Sequence, residues 1–204
     1  MNLRIAALVS TMSAAFLLVA CATTPRANFY TLNGVDADKA DVRFPLVVAI
    51  GPVDLPQYLD RPHIVTRVGV NRLSVDEFNR WAGSLEEDIT RVLARRIGGR
   101  LGTQRIYGYP SRVVPDTDFR IALDIRAFDG ALGGEVHLDV SWSVIADRSG
   151  EVLQTHQASY QGVSADDGYE AYAAALSETL AQLGDDLATV LSKLASVGNA
   201  AKMR

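Results

Sequence analysis

Residues 119–144 read FRIALDIRAFDGALGGEVHLDVSWSV, two runs of alternating apolar and polar side chains around a glycine-rich break. The first run covers Phe119–Arg126 and the second covers Glu135–Val144. Alternation with period two places successive side chains on opposite faces of a strand, so both runs are predicted to be strands with one buried face. The residues Asp147–Gly150 are typical of a turn into a third strand, Val152–Tyr160. These runs together predict an antiparallel meander.

A helical pattern precedes the meander. Ser74 and Glu77 match the S-x-x-E capping box that begins many helices. Apolar residues then recur three or four positions apart as far as Ile97, and the pair Gly98-Gly99 is typical of a helix end. We therefore expect an amphipathic helix of about six turns that packs on the sheet.

A second helical pattern follows the meander, from about Asp166 to Val197. Its apolar residues repeat every seven positions in two series, Tyr169, Leu176, Leu183 and Val190 in one and Ala173, Leu180, Leu187 and Leu194 in the other. The pattern favours a long helix lying across the protein's own sheet. It also fits a coiled-coil seam with a helix of another chain.

Short strand patterns precede the first helix. Phe29–Leu32 is a candidate edge strand, and 33–43 has the composition of a loop. Leu46–Val53 is a continuous apolar run, typical of a central strand covered on both faces. His63–Arg67 has strand character, with Val68–Leu73 as its hairpin partner. The fold class predicted is α/β, α+β in detail: a mainly antiparallel sheet with two long amphipathic helices packed on one face.

The composition limits the class of protein. The chain has 204 residues, 48% hydrophobic and 22% charged, with a formal net charge of −4 and one cysteine. These values exclude a disordered chain and a nucleic-acid binder with a basic surface. They fit one domain, which we place at residues 29–197 with a tail at 198–204. A single cysteine excludes an intrachain disulfide and a multi-cysteine zinc site.

The beginning of the chain has the pattern of an export signal. Arg4 precedes an apolar stretch, Ile5–Ala20, that is shorter than the roughly 20 apolar residues of a spanning helix. The run Leu18-Val19-Ala20-Cys21 resembles the lipobox of bacterial lipoproteins. The alternative is an ordinary secretory signal in which the cysteine is incidental.

The lipobox resemblance implies a processed and anchored protein. Residues 1–20 are then a signal peptide, cleaved before Cys21, and residues 21–28 are the acylated N-terminus and its tether. More than one acyl chain is needed for stable anchoring, and an acylated thiol together with an acylated amine supplies them. By the sorting rule of enterobacterial lipoproteins, Asp after the acylated cysteine would retain the protein at the inner membrane. Position 22 is Ala, which implies sorting to the outer membrane, on its periplasmic face.

Charge is divided unevenly along the chain. Cys21–Arg112 carries 13 basic and 10 acidic residues, whereas Val113–Arg204 carries 6 basic and 14 acidic residues. Arg91–Arg112 alone contains six arginines and no acid. This asymmetry fits self-association or an oppositely charged partner, and it also fits an arginine-rich, solvated helix end.

Residues that could carry catalysis are sparse. His63, His137 and His156 are far apart and lack the spacing of a metal-binding pair. The sequence has no nucleophile elbow, phosphate-binding loop or dinucleotide fingerprint. Paired acids such as Glu86-Glu87 point apart on a helix. We therefore predict no catalytic or metal site, no cofactor, and a protein that is not an enzyme.

The segment Val48–Arg67 reads VAIGPVDLPQYLDRPHIVTR, and its three prolines exclude a regular ladder or helix from Pro52 to Pro62. With Tyr30-Thr31-Leu32 before it and Arg80-Trp81-Ala82 after it, this segment resembles the PqiC-like family of ABC-type transport auxiliary lipoproteins. Within the segment the matching parts are Gly51-Pro52-Val53, then Leu55-Pro56-x-Tyr58-Leu59-Asp60-Arg61-Pro62, and then Ile64-Val65-Thr66-Arg67. A further match, Arg91-Val92-Leu93, falls on a later turn of the helix that Arg80-Trp81-Ala82 is expected to open.

The resemblance implies an outer-membrane lipoprotein that works with an MCE-type (mammalian cell entry) tunnel protein in carrying phospholipid or other hydrophobic cargo. A homo-oligomeric ring would match a tunnel made of MCE rings. Aromatic and guanidinium groups dominate interface hot spots, and prolines lower the entropy lost when a loop is ordered. The candidate partner-binding residues are Pro56, Tyr58, Asp60, Arg61, Pro62, His63, Arg80 and Trp81.

Alternatives remain for both the segment and the function. The proline-rich run could instead be a buried crossover in which Tyr58 fills the core; we expect Leu55 and Leu59 in the core and Arg61 outside it. The alternative function is a lipoprotein that binds a small hydrophobic ligand in a pocket between sheet and helices and shuttles it. A third is an envelope hydrolase.

Overall fold

The computed structural model describes residues 25–34, 43–110 and 116–202, with side chains as far as residue 197. In chain order the elements are β1 (Asn28–Tyr30), β2 (Val48–Asp54), β3 (His63–Gly69), β4 (Arg72–Trp81), α1 (Leu85–Leu101), β5 (Ile106–Gly108), β6 (Phe119–Gly130), β7 (Glu135–Ala146), β8 (Glu151–Val163) and α2 (Tyr169–Lys202). The predicted signal peptide and Cys21 lie outside the described residues, as do 35–42 of the predicted loop and the end of the predicted tail.

The strands form two sheets. A five-stranded sheet has the order β5-β2-β6-β7-β8, and a three-stranded sheet has the order β1-β4-β3. The predicted meander is confirmed, because β6, β7 and β8 pair antiparallel in sequence order. Parallel pairs join β2 to β5 and β6, and β1 to β4. The mixed α/β class is thus confirmed. The sequence predicts one sheet, whereas the structure has two, because β1, β3 and β4 pair with one another and not with the other five strands.

Both helices cover one face of the five-stranded sheet. The first helix, α1, contacts β2 and β5, while α2 contacts β7 and β8, and the two helices pack against each other. The heptad series of α2 lies in this interface: Leu176, Leu180, Leu183 and Leu187 are all buried. The interpretation of α2 as a helix lying on its own sheet is therefore confirmed. On the opposite face of the sheet, polar side chains such as Ser143 and Thr155 are hydrogen-bonded across strands.

The first helix begins later than predicted. It starts at Leu85, and Ser74 and Glu77 lie in strand β4 and form no capping box. Ser74 pairs with Thr66 of β3, and the end of β4 pairs with β1 on its other side. A helix from Ser74 was therefore wrong, because sheet pairing on both sides outweighs a local spacing of apolar residues that also fits a helix.

The end of α1 also differs from the prediction. Gly98 and Gly99 lie inside the helix, which ends at Gly102 in the left-handed conformation with φ of 65°. The Gly102 N–H caps the carbonyls of both earlier glycines. A Cβ on Gly98 would lie 2.8 Å from the carbonyl oxygen of Thr103, so this glycine permits the chain to turn closely over the helix.

The predictions for the early strands are confirmed with shifted ends. Strand β1 lies at the edge of its sheet, and β2 lies between β5 and β6 with Val48–Gly51 buried. The β2–β6 register shifts between Ile50 and Val53, so the ladder is irregular at Pro52 as expected, although β2 continues to Asp54.

Candidate functional site

The proline-rich connection between β2 and β3 is an ordered turn. The N–H of Leu59 donates to the Pro56 carbonyl at 2.8 Å, and the N–H of Arg61 donates to the Leu59 carbonyl at 2.8 Å. Leu59 is buried in the core and Leu55 packs against it, while Arg61 is exposed. The segment therefore combines the two interpretations drawn from the sequence: its two leucines pack in the core, and residues 60–62 are exposed.

Tyr58 points into the molecule. Its hydroxyl donates to Oδ2 of Asp129 at 2.5 Å, and Asp129 is 2% exposed at the end of β6. Burial raises the pKa of Tyr58, and the hydrogen bond to the Asp129 carboxylate raises it further. The phenol thus stays protonated and serves as a hydrogen-bond donor to a buried carboxylate.

The same carboxylate binds Arg67 of β3. The Arg67 Nε lies 2.8 Å from Asp129 Oδ1, and its Nη2 lies 3.0 Å from Oδ2. This two-pronged contact raises the pKa of Arg67 through hydrogen bonding to Asp129. Asp129 therefore ties the proline-rich turn and the three-stranded sheet to the end of the five-stranded sheet.

Tyr172 of α2 completes this junction. Its buried hydroxyl accepts from the Gly130 N–H at 3.1 Å and donates to the Val65 carbonyl at 2.9 Å. Burial raises the pKa of Tyr172, which keeps the donor protonated. One side chain thereby joins a helix, the five-stranded sheet and β3.

The surface residues of the predicted site lie together at the base of the three-stranded sheet. Asp60, Arg61 and Pro62 are exposed, whereas His63 and Arg80 are half-buried and paired across β3 and β4. The Trp81 N–H donates to the Pro62 carbonyl at 2.8 Å, which fixes the end of the turn to β4. Trp81 itself is buried and lies in a strand, so the prediction that Arg80-Trp81 opens a helix was wrong.

Sequence reasoning missed Arg67, Asp129 and Tyr172 as a set. Arg67 lay in the matched run but was not singled out. Asp129 had one visible signal, an acid in an otherwise apolar strand end. Tyr172 lies outside the two heptad series of its helix, and nothing in the sequence pairs it with Val65.

A cavity of about 1230 Å³ lies beside the C-terminal end of α1. Its lining includes Arg43, Arg95 and Arg105 with Phe44 and Ile106. The lining therefore combines guanidinium groups with apolar side chains.

The arginine-rich stretch is engaged inside the molecule to a large extent. Arg96 binds Asp185 of α2 through Nε at 2.8 Å and Nη2 at 2.7 Å, and Arg100 lies 3.4 Å from the same carboxylate. Arg91 pairs with Asp88. Arg96 and Arg100 therefore join the first half of the chain to one acid of the second half, whereas the Arg91 pair lies within the first half.

Two kinds of functional feature are absent from the described ranges. Within residues 25–34, 43–110 and 116–202, no group of three or more His, Cys, Asp and Glu side chains is placed to hold a metal ion. No helix in those ranges is both long enough and apolar enough to cross a bilayer.

The fold and the site define a two-sheet α/β domain whose candidate site is a surface and not a cleft. Residues 30–188 match the model of the family described as ABC-type transport auxiliary lipoprotein component. The match covers more than half of the chain, so the chain belongs to this family. No curated protein matches the sequence closely enough to count as a relative.

Solved structures share the fold at low sequence identity. The chain is similar to protein XCC0632 from Xanthomonas campestris, with a TM-score of 0.69 at 14% identity, covering 85% of this chain and 99% of that one. An uncharacterized protein gives a TM-score of 0.66 at 16% identity, covering 82% and 99%. PelC from Paraburkholderia phytofirmans, a dodecamer, gives 0.41 at 10% identity, covering 74% and 90%, a likeness too weak to bear on the assembly of this chain.

Proposed function

We propose that this chain is a non-enzymatic lipoprotein subunit of an intermembrane lipid transport system. It is anchored through Cys21 to the periplasmic face of the outer membrane, where it docks an MCE-type tunnel protein and thereby supports membrane integrity. Membership of the transport auxiliary lipoprotein family supports the general role. The lipobox that ends at Cys21 supports the anchor, and the cargo, phospholipid or another hydrophobic molecule, meets this subunit only indirectly.

The observation that carries the docking role is the geometry of residues 60–62. Asp60, Arg61 and Pro62 face solvent, yet the turn is fixed by Leu59 in the core on one side and by the Trp81 N–H on the other. A preordered loop loses little conformational entropy when it binds. Exposed charge on such a loop is suited to a protein partner.

The outer edge of β8 supports the proposal of a homo-oligomer. Such an oligomer would be a ring if it matches the rings of an MCE-type tunnel protein. β8 has 13 residues and ends the five-stranded sheet, where β7 is its one partner among the described strands, and residues 151–157 are all exposed. An open strand edge offers a row of backbone N–H and C=O groups to another strand. Native mass measurement tests this: a stable oligomer supports docking, whereas a lipid-loaded monomer supports the shuttle alternative.

The decisive experiment is recovery of partners from solubilised membranes with the tagged full chain. The wild type is expected to recover an MCE-type protein, and Cys21→Ala is expected to lose it because the unanchored chain is absent from the membrane fraction. Arg61→Glu should lower recovery while the chain stays in the membrane. Arg148→Glu, at the exposed β7–β8 turn, is the matched control. If the wild type recovers no MCE-type protein, the docking role is wrong.

A further inference from the structure

The end of the β3–β4 hairpin is an exposed apolar surface. Val70 is 89% exposed, Val68 48%, Val75 44% and Leu73 36%. We call residues 68–75 the hairpin tip. Solvent-exposed apolar side chains grouped in this way mark contact surfaces more often than isolated ones do.

The charge of the hairpin tip has one sign. Residues 68–75 contain one charged side chain, Arg72, and the acids Asp76 and Glu77 follow them along β4. Arg67 is engaged with Asp129, and Arg72 is exposed beside the turn. Apolar side chains with an arginine beside them match the interfacial region of a bilayer, where acyl chains lie beneath phosphate groups.

The direction of β1 brings the N-terminus toward this tip. β1 is parallel to β4, with Asn28 opposite Asn79, and β4 runs from the tip toward the base of the sheet. The chain before Asn28 therefore enters from the side of the tip. Cys21 precedes Asn28 by seven residues, and Arg72 precedes Asn79 by the same number. Seven residues span at most about 25 Å, which is long enough for an anchor at Cys21 to lie level with the tip without a reversal of the chain.

The hairpin tip is braced against the body of the molecule. Arg67 Nη1 donates to the Val70 carbonyl at 3.2 Å, and the same guanidinium binds buried Asp129. A contact made by the tip is therefore transmitted to the five-stranded sheet. A contact between the tip and the membrane would therefore set the orientation of the whole domain relative to the membrane, and with it the direction in which residues 60–62 face.

We propose that the hairpin tip inserts its valine and leucine side chains into the membrane interface as a second contact beside the lipid anchor. This rests on the proposed acylation of Cys21. The acyl chains hold the protein at the membrane, and the tip orients it.

The test uses the full acylated chain in vesicles of phosphatidylethanolamine and phosphatidylglycerol. Cys21 is the only cysteine, so Val70→Cys adds a single free thiol for an environment-sensitive fluorophore. Ser149→Cys is the matched control, because it is exposed in the β7–β8 turn, at the opposite end of β6 from Asp129. Both sites are exposed turns that tolerate substitution.

The Val70 probe is expected to shift its emission to shorter wavelength and to lose most of it to quenchers carried on the lipid acyl chains. The Ser149 probe is expected to do neither. The proposal is overturned if the two probes show the same emission and the same quenching in protein that floats with the vesicles after an alkaline wash. Flotation in that case still supports the anchor. Protein that does not float lacks the anchor, and then both the anchoring and the inference built on it are wrong.

Discussion

The two sheets of this molecule are held in different ways. The five-stranded sheet buries one face under both helices, with Ile121, Val140 and Leu180 inaccessible to solvent. The three-stranded sheet shares this core at its base, through Ile64, Val65 and Trp81, and projects from it toward an exposed tip. Hydrogen bonds of Asp129 and Tyr172 join it to the rest as well. Apolar burial supplies most of the stability of a domain, whereas hydrogen bonds of defined geometry fix where one part stands relative to another. The five-stranded sheet is therefore the stable body, and the three-stranded sheet is an extension that leaves the core toward its tip.

The largest expected effect comes from the helix–sheet interface. Leu180→Ala removes a fully buried side chain of α2 and should cost about 2–5 kcal/mol of unfolding free energy. Val75→Ala in β4 removes a side chain that is already half-exposed and should cost less than about 1 kcal/mol. Urea unfolding of the two variants measures both. Similar losses would contradict the division into body and extension.

An intermediate effect is expected from the junction between the sheets. Asp129→Ala removes the acceptor of Tyr58 and Arg67 and should cost about 1.5–3 kcal/mol, the range for hydrogen bonds to a charged group. Hydrogen exchange should accelerate in β3 and β4 more than in β6 and β7, because the extension loses one of its polar attachments while the helix-covered body keeps its apolar packing. Asp124→Ala, at an exposed position of the same strand, is the control. Uniform acceleration in both sheets would show that the junction is part of the body.

The smallest effect concerns a second contact between the extension and α2. The Tyr169 hydroxyl lies 3.1 Å from Asp76 of β4. Burial opposes ionisation of Asp76, but hydrogen bonds from the N–H groups of Phe78 and Asn79 outweigh it and lower its pKa. Burial, aided by the bond to Asp76, raises the pKa of Tyr169 to about 12.

These two shifts have opposite pH signatures. Asp76 contributes its stability above its unfolded pKa of 3.8 and loses it as the pH falls through the lower folded value. Tyr169 contributes below its unfolded pKa of 10.0 and loses that contribution as the pH rises through about 12. Tyr169→Phe should remove the part of the alkaline loss of stability that Tyr169 contributes and cost about 0.5–1.5 kcal/mol near neutral pH. An unchanged alkaline unfolding curve would contradict this assignment.

The helix-covered body was largely predictable from the sequence. The alternation in β6 and β7 and the heptads of α2 each report one buried face, and such patterns depend only on neighbouring residues. Strand β4 was not predictable. Its buried positions follow neither the helical period of 3.6 nor the strand period of two, and its own residues do not indicate that it pairs with both β1 and β3. The start of α1 was misplaced for the same reason.

The candidate site shows the same limit. Residues 60–62 could be identified from a contiguous motif, and the structure places them at the surface. The junction beneath them joins Arg67 to Asp129 across 62 positions and Val65 to Tyr172 across 107. Contacts between residues so far apart leave no local pattern, and a single acid or tyrosine does not indicate its partner.

The parallel pairing of β1 with β4 also has a consequence for the order of folding. It joins Asn28 to Asn79, 51 positions later, so the first strand of the domain has no partner until synthesis has passed Trp81. Closing so long a loop is slower than forming the local β3–β4 hairpin, so the hairpin is expected to form before β1 pairs with it. During that interval β1 is not held by the sheet. The first strand of the domain in sequence is therefore expected to be among the last to pair.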